Sequence, residues 1–239
     1  MANLWTITWR ELKAYFASPI AYVVSALFLA TVGFLFALIL LNGREASLRG
    51  AFSNMNFLLL LVAPAITMRL LAEEQRMGTI ELLLTAPVRD WQVVVGKFLG
   101  SVILFATMLL GPTLYYVLLI GVLGKPDYGP IITGYIGILL LGASFLAVGV
   151  FASALTQNQI VAYFIGIAIL ILLWIADAGG AIAGSGNLMS SVLGYIAITK
   201  HFNDFFRGVV SLTDVVYAFS VIAVALFLAT QILQTRRWR

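Results

Sequence analysis

Six long runs of apolar residues set the terms on which this chain can fold. They fall at about Ile20–Leu41, Asn56–Leu71, Val93–Leu123, Ile131–Leu155, Ile160–Ala176 and Val215–Leu233. A helix that crosses a bilayer needs roughly 17–25 such residues. In hydrocarbon an unpaired backbone group costs several kcal/mol, so a span is either a helix or a strand of a closed barrel. Barrel strands are about ten residues long and alternate in polarity; these runs do not. The expected fold is therefore an all-α integral membrane protein with six transmembrane helices. Composition agrees, with 62% hydrophobic and 10% charged residues, where a soluble domain carries about a quarter charged. No linker, low-complexity tract or repeat divides residues 1–239, which read as a single transmembrane domain.

The segment before the first run has a different pattern. Leu4, Ile7, Leu12, Tyr15 and Phe16 recur near helical spacing, with Trp5 and Trp9 beside them, while Arg10, Glu11 and Lys13 fall elsewhere on the wheel. That pattern predicts a helix lying in the membrane interface over residues 1–19, ended by Ser18-Pro19. It lacks the early basic region and cleavage site of a signal peptide.

Lysine and arginine placement predicts orientation. Six spans put both termini on one side. That side holds Arg10, Lys13, Arg69, Arg76, Arg89, Lys97, Arg236, Arg237 and Arg239, nine basic residues. The other holds Arg44, Arg49, Lys125, Lys200 and Arg207, five. The excess places the termini, and the loop after the second span, in the cytoplasm of a cell-membrane protein.

Several chemistries have no residues to run on. The chain has no cysteine, hence no disulfide and no thiolate metal site. Gly96-Lys97 and Gly124-Lys125 lack the downstream Ser/Thr and the upstream glycine of a phosphate loop. No cofactor is expected on this chain; ATP and Mg, where used, belong on a partner subunit. "EEQR" at Glu73–Arg76 has paired glutamates, but a catalytic zinc site needs three ligands, usually with two histidines, and His201 is the single histidine. No serine stands beside a base. No basic-aromatic groove suggests nucleic acid. Charge is missing from the interiors of the first, third, fourth and fifth runs, so a proton relay through the midplane has no carriers.

Charge is instead concentrated in "LAEEQRMGTIELLLTAPVRDWQVVVGK", which holds Glu73, Glu74, Arg76, Glu81, Arg89, Asp90 and Lys97. Met68 and Arg69 close the second run, Glu73–Arg76 makes a charged turn, and Gly78 allows a break. "TIELLLT", Thr79–Thr85, reads as a short amphipathic helix with Thr79 as N-cap and Glu81 in its first turn. Pro87 stops it, Asp90 is expected to cap the next helix, and Trp91 to hold that helix at the interface. Such a segment, tied to two spans, can pass on the motion of a docked partner; a solvated re-entry turn is the alternative on these residues alone.

"APAITMRLLAEEQRMGTIELLLTAPVRDWQVVVGKF" (Ala63–Phe98) and "HFNDFFRGVVSLTDVVY" (His201–Tyr217) resemble the ABC-2-type permeases, and among them the gliding-motility-like subgroup. The resemblance extends to six spans behind an interfacial helix, over nearly the whole chain. It implies a permease subunit of an ABC transporter, most often an exporter, without catalysis of its own. Its partners would be a cytoplasmic ABC ATPase subunit, a second permease chain as homodimer or related heterodimer, membrane lipid, and an extracytoplasmic accessory protein. By position in the family, residues 72–91 form the coupling segment. Glu73, Glu74, Arg76, Gly78, Thr79 and Glu81 would face the ATPase, with Leu82 and Leu83 packing at the joint. A membrane scaffold that transmits force without passing substrate, and an ATP-independent carrier or channel, are the rival readings.

Two expectations concern the rest of the chain. Asp177–Asp214 is too long for a turn, too glycine-rich at first for a span and too apolar for a free loop; it reads as short re-entrant helices forming an outer gate. Lys200, His201, Asp204 and Arg207 would stand there at the water boundary. Ser25, Ala26, Ala30 and Gly33 in the first span, with Gly166 and Ala168 in the fifth, are small residues suited to contacts in a dimer.

Overall fold

The computed structural model describes residues 2–43, 47–79, 88–182, 192 and 194–237. Its described residues are helical, with no strand. In chain order they form α1 (Ala2–Ala17), α2 (Pro19–Gly43), α3 (Arg49–Thr67), α4 (Ala72–Arg76), α5 (Asp90–Leu123), α6 (Tyr128–Leu155), α7 (Gln159–Ile182), α8 (Ile198–Phe206) and α9 (Leu212–Arg237). Among the described residues six helices, those built on α2, α3, α5, α6, α7 and α9, are long and apolar enough to cross a membrane. The protein is a multi-pass membrane protein.

The first break lies where the proline demands it. α1 ends at Ala17, the Ser18 amide closes a turn on the Tyr15 carbonyl, and Pro19 opens α2. Proline is tolerated at a helix start because its missing N–H would have no partner there anyway. The second span begins seven positions earlier than its hydropathy suggests, at Arg49 and not at Asn56. Ser53, Asn54 and Asn56 lower the apolar content, but Ala51, Phe52, Met55 and Leu59 keep helical spacing and are buried. Asp90 does not cap α5. Arg89 occupies the cap position, its amide donates to Gln92 Oε1 (3.1 Å), and Asp90 is the first helical residue.

α6 is the central helix. It packs against α9, α3, α7, α8 and α5, and its residues from Leu141 to Val150 are buried. Glycines make this possible. A Cβ at Gly134 would run into the Phe52 ring, at Gly137 into Phe205, at Gly142 into Phe105 and at Gly149 into Thr67. Three other helices therefore press rings into notches on α6, and α3 presses in a threonine as well. Lipid supplies no hydrophobic drive between helices, so association rests on such close packing. α9 answers with its own small stripe, Ala218, Ala225 and Ala229, all buried.

α2 and α7 are the least enclosed spans. Their small residues are partly taken up inside the chain. Gly33 lies against the Tyr116 hydroxyl of α5, and Gly166 against Pro64 of α3 and Ala152 of α6. Their outward faces carry large apolar side chains, among them Val23, Leu27 and Phe34 on α2 and Phe164 and Leu172 on α7. In the expected outer segment, residues to Ile182 extend α7 and Ile198–Phe206 form α8; positions 183–191 and 193 lie outside the described residues.

Candidate functional site

At the end of the molecule that holds α1, α4 and the start of α5, α3 stops one turn after Pro64. Thr67 turns its hydroxyl back onto the Ala63 carbonyl (2.9 Å), and the chain turns through Met68–Leu71 into α4. A helix start leaves amides without partners. Here a single buried side chain from the last turn of α6 meets them. Ser153 Oγ donates to the Met68 carbonyl (2.9 Å) and accepts from the amides of Leu71 and Ala72 (3.0 Å each). One hydroxyl offers one proton and two lone pairs, and all three are used. Gln75 Nε2 then donates to the Ala154 carbonyl (3.0 Å). α4 is thereby fastened to the end of α6.

A second fastening is ionic. Lys97 lies two turns into α5 and its side chain is 1% exposed. Its ammonium sits 2.7 Å from Glu11 of α1 and 2.8 Å from Glu74 of α4. Arg10 closes the group at 3.2 Å from Glu74 and 3.3 Å from Glu11. Two cations and two carboxylates from three helices thus balance. α1 reaches this close to α5 because Gly96 and Gly100 have no side chain; a Cβ there would meet Ile7 and Glu11. α5 is about 50 Å long, well beyond the roughly 30 Å of hydrocarbon, so Lys97 falls near one end of the crossing and not at its midplane.

A third contact ties the α1–α2 corner to the foot of α3. The Tyr15 hydroxyl donates to the Ile66 carbonyl (2.9 Å), Arg69 donates to Ser18 Oγ (2.6 Å), and the Arg69 guanidinium lies over the Tyr15 ring at 4.8 Å. Burial, and after it the Glu11 carboxylate, push the Tyr15 phenol above its usual range; Arg69 opposes this.

Beyond these fastenings the surface is open. Arg76, Met77 and Gly78 are exposed, Glu73 and Thr79 half-buried. Gly78 has φ +69, a left-handed conformation that glycine adopts without strain. The Thr79 hydroxyl donates to the Glu74 carbonyl (3.4 Å). Beside Arg76 lies a polar cleft of ≈ 670 Å³, walled by Leu155, Thr156, Gln157, Asn158, Gln159 and Ile160. Asn158 shapes that wall by accepting from the amides of Ile160 (2.9 Å) and Val161 (3.4 Å) at the head of α7. Glu81, Leu82 and Leu83, and the expected helix past Thr79, lie outside the described residues.

The predicted coupling residues therefore divide. Glu74 is turned inward and engaged by Lys97 and Arg10, whereas Arg76 and Gly78 are exposed, with the 156–159 loop beside Arg76. Neither Ser153 nor that loop stands out in the sequence as part of the site, and Lys97 stands there as one charge of the stretch, without a partner or role. A lysine two turns inside an apolar span was the available signal, since a charge placed there needs a partner.

At the other end, α8 lays Ile198, Phe202, Phe205 and Phe206 into the core. Phe202 stacks on Phe205 and Phe206 on Phe52, and Thr133 of α6 donates to the Phe205 carbonyl (2.8 Å). Asp204 and Arg207 are exposed, while His201 is buried against Asp214 and Tyr217. The backbone of Lys200 belongs to α8; its side chain is outside the described set. Among the described residues no group of three or more metal-binding side chains comes together.

A family profile described as ABC-2 family transporter protein matches residues 5–236. No curated protein matches the chain.

Proposed function

The chain belongs to the ABC-2 family of transporter proteins, and from that premise we propose that it is the membrane half of an ATP-driven exporter, pushed at α4 by a separate cytoplasmic ATPase subunit. As the permease of such a transporter it carries no catalysis; ATP and Mg sit on the partner. The observation that carries this reading is the contrast within a few residues of α4. Ser153, Gln75 and Lys97 bind its inner side to α6, α5 and α1, while Arg76, Met77 and Gly78 stand open, Arg76 beside the Gln157–Gln159 wall. A lever needs both a rigid root and a free contact surface.

On this reading Glu73, Arg76, Gly78 and Thr79, with Glu81 from the adjoining stretch, meet the ATPase, and Leu82 and Leu83 pack at the joint. Glu74 contributes by holding the root through Lys97. A push on α4 is delivered to α1, α5 and α6 together. The open faces of α2 and α7 meet a second permease chain, and α8 with its neighbours closes the outer side. The termini and α4 lie in the cytoplasm of the cell membrane, in keeping with the nine-to-five excess of basic residues on that side.

The test is to purify the tagged chain in mild detergent with its co-purifying ABC ATPase and to measure ATP hydrolysis. Arg76→Glu reverses an exposed charge, and Leu82→Asp puts a carboxylate where apolar packing is expected. Both should cut ATPase recovery and stimulated hydrolysis at least severalfold, with little effect on the amount of inserted chain. Recovery and hydrolysis equal to the parent in both variants would remove α4 and its extension from the role of docking site.

A further inference from the structure

The chain's single histidine joins three segments at the outer end. His201, in the middle of α8, is 8% exposed. Its Nδ1 stands 2.8 Å from Asp214 Oδ1, at the head of α9, and its Nε2 stands 3.0 Å from the carbonyl oxygen of Tyr195, just before α8. Both facing groups are acceptors: a carboxylate and a carbonyl have lone pairs to offer and no proton. A neutral imidazole carries one N–H and can serve only one of them. The doubly protonated ring serves both, and adds an ion pair to Asp214. The ring also lies flat on Tyr217, with centroids 4.0 Å apart and planes 17° apart, an arrangement that favours a cation over an aromatic face. Tyr217 in turn donates its hydroxyl to the Ile196 carbonyl (2.6 Å), so the same α9 residue grips the segment that His201 grips.

We propose that His201 is a proton-operated latch. With both ring protons it binds the 195–196 segment, α8 and the head of α9 into one unit. When the ring gives up a proton to solvent it loses the charge that faces Asp214 and one of its two hydrogen bonds; the carboxylate is the stronger acceptor and keeps its N–H, so the bond to the Tyr195 carbonyl is the one released, while the Tyr217 hydroxyl keeps its bond to Ile196.

Ionisable groups reach His201's surroundings from each element packed around it. On α8 itself the other ionisable residues are Lys200 and Asp204, with Arg207 directly after; Asp204 and Arg207 are exposed. α9 contributes Asp214 and Tyr217, and the preceding segment Tyr195, whose ring meets the imidazole edge-on at 5.7 Å. α6 has no charged residue and brings Tyr128 and Tyr135; α3 has Arg49 at its head, and α7 has Tyr163 and Asp177. Imidazole is the ordinary side chain that changes charge between about pH 5 and 8. The latch stands on the outer end alone, so it does not depend on where an ATPase docks.

A single histidine makes the test direct. Chain labelled with heavy nitrogen in histidine only, in lipid nanodiscs, gives one pair of ring signals. Both ring nitrogens should carry protons at the acid end of a titration from about pH 5 to about pH 9. As the second proton leaves, amide exchange of residues 195–206, read by mass spectrometry, should rise about tenfold over the same interval, since a bond to a charged group is being lost. His201→Gln should abolish the pH dependence of that exchange, and Asp214→Asn should uncouple it from the ring's titration. A ring that stays neutral throughout, or one that titrates while exchange of α8 holds constant, would overturn the latch.

Discussion

The two ends of this molecule are held by different physics. At the end that holds α4, polar groups fix the backbone: Ser153 meets three backbone groups, and Lys97 gathers Glu11 and Glu74. At the end that holds α8, rings fill notches: Phe205 in Gly137 and Phe52 in Gly134, with one histidine among them. Polar fastenings are directional, and a half-made one is costly. Ring packing is tight but has no charge to be changed. On the proposed function the α4 end delivers a push without slack, and on the proposed latch the α8 end closes with a hold that a single proton alters.

The comparison is broken most severely by Lys97→Met. It leaves two half-buried carboxylates facing one another with only Arg10 to pair them. Removing one partner from a buried ion pair costs about 3–5 kcal/mol, so the thermal midpoint in detergent should fall steeply. Lys97→Arg should keep most of the stability, and Lys97→Met with Glu74→Gln should recover part of it. Equal stability of Lys97→Met and parent would mean that the cluster holds nothing.

Phe205→Ala is the matching cut at the α8 end. Emptying a fully buried ring site costs about 3–5 kcal/mol, and exchange protection should fall first in α8. If the ends are as distinct as the contacts indicate, α4 should keep its protection in this variant. Ser153→Ala comes next. It strips partners from the Leu71 and Ala72 amides and the Met68 carbonyl, for about 1–3 kcal/mol, and exchange of residues 71–77 should rise while α8 is unaffected.

Tyr15→Phe is the smallest, the loss of one neutral hydrogen bond, about 0.5–1.5 kcal/mol. It also has a pH signature. The folded phenol is raised above its unfolded value of 10.0, chiefly by burial. Its contribution is therefore whole below about pH 10 and fades as the pH rises beyond it. Midpoints measured up to strongly alkaline pH should show a shallower decline for Tyr15→Phe than for the parent; a parallel decline would show that the phenol is not sequestered.

Much of the architecture was legible in the residues. The six spans were, because lipid leaves the backbone no alternative to a helix of sufficient length. So was the break at Ser18-Pro19, which needs no tertiary information. Boundaries failed where polarity and helix formation part company: Ser53, Asn54 and Asn56 lower hydropathy, yet α3 runs through them on the strength of Phe52 and Met55. The reading of Asp90 as a cap failed by one position: Arg89 is the cap residue, its amide donating to Gln92 Oε1, and Asp90 is already helical. Gly33 and Gly166 suit contact with a second chain in sequence, yet each meets a neighbour in its own chain. The charged stretch was found, but not the division of its charges between inside and outside.

That division marks the boundary between the two kinds of information. Span length, apolar content and the placement of lysine and arginine are local sums along the chain, and they determined by themselves that this protein is a six-helix membrane protein with its charge gathered after the second span. Which charge meets which depends on helices brought together from far apart in sequence. Lys97 and Glu11 are 86 positions apart, and Leu71 and Ser153 are 82. Their partnership exists only because glycines on α5 and α6 let other helices come within reach, and no local pattern records that approach.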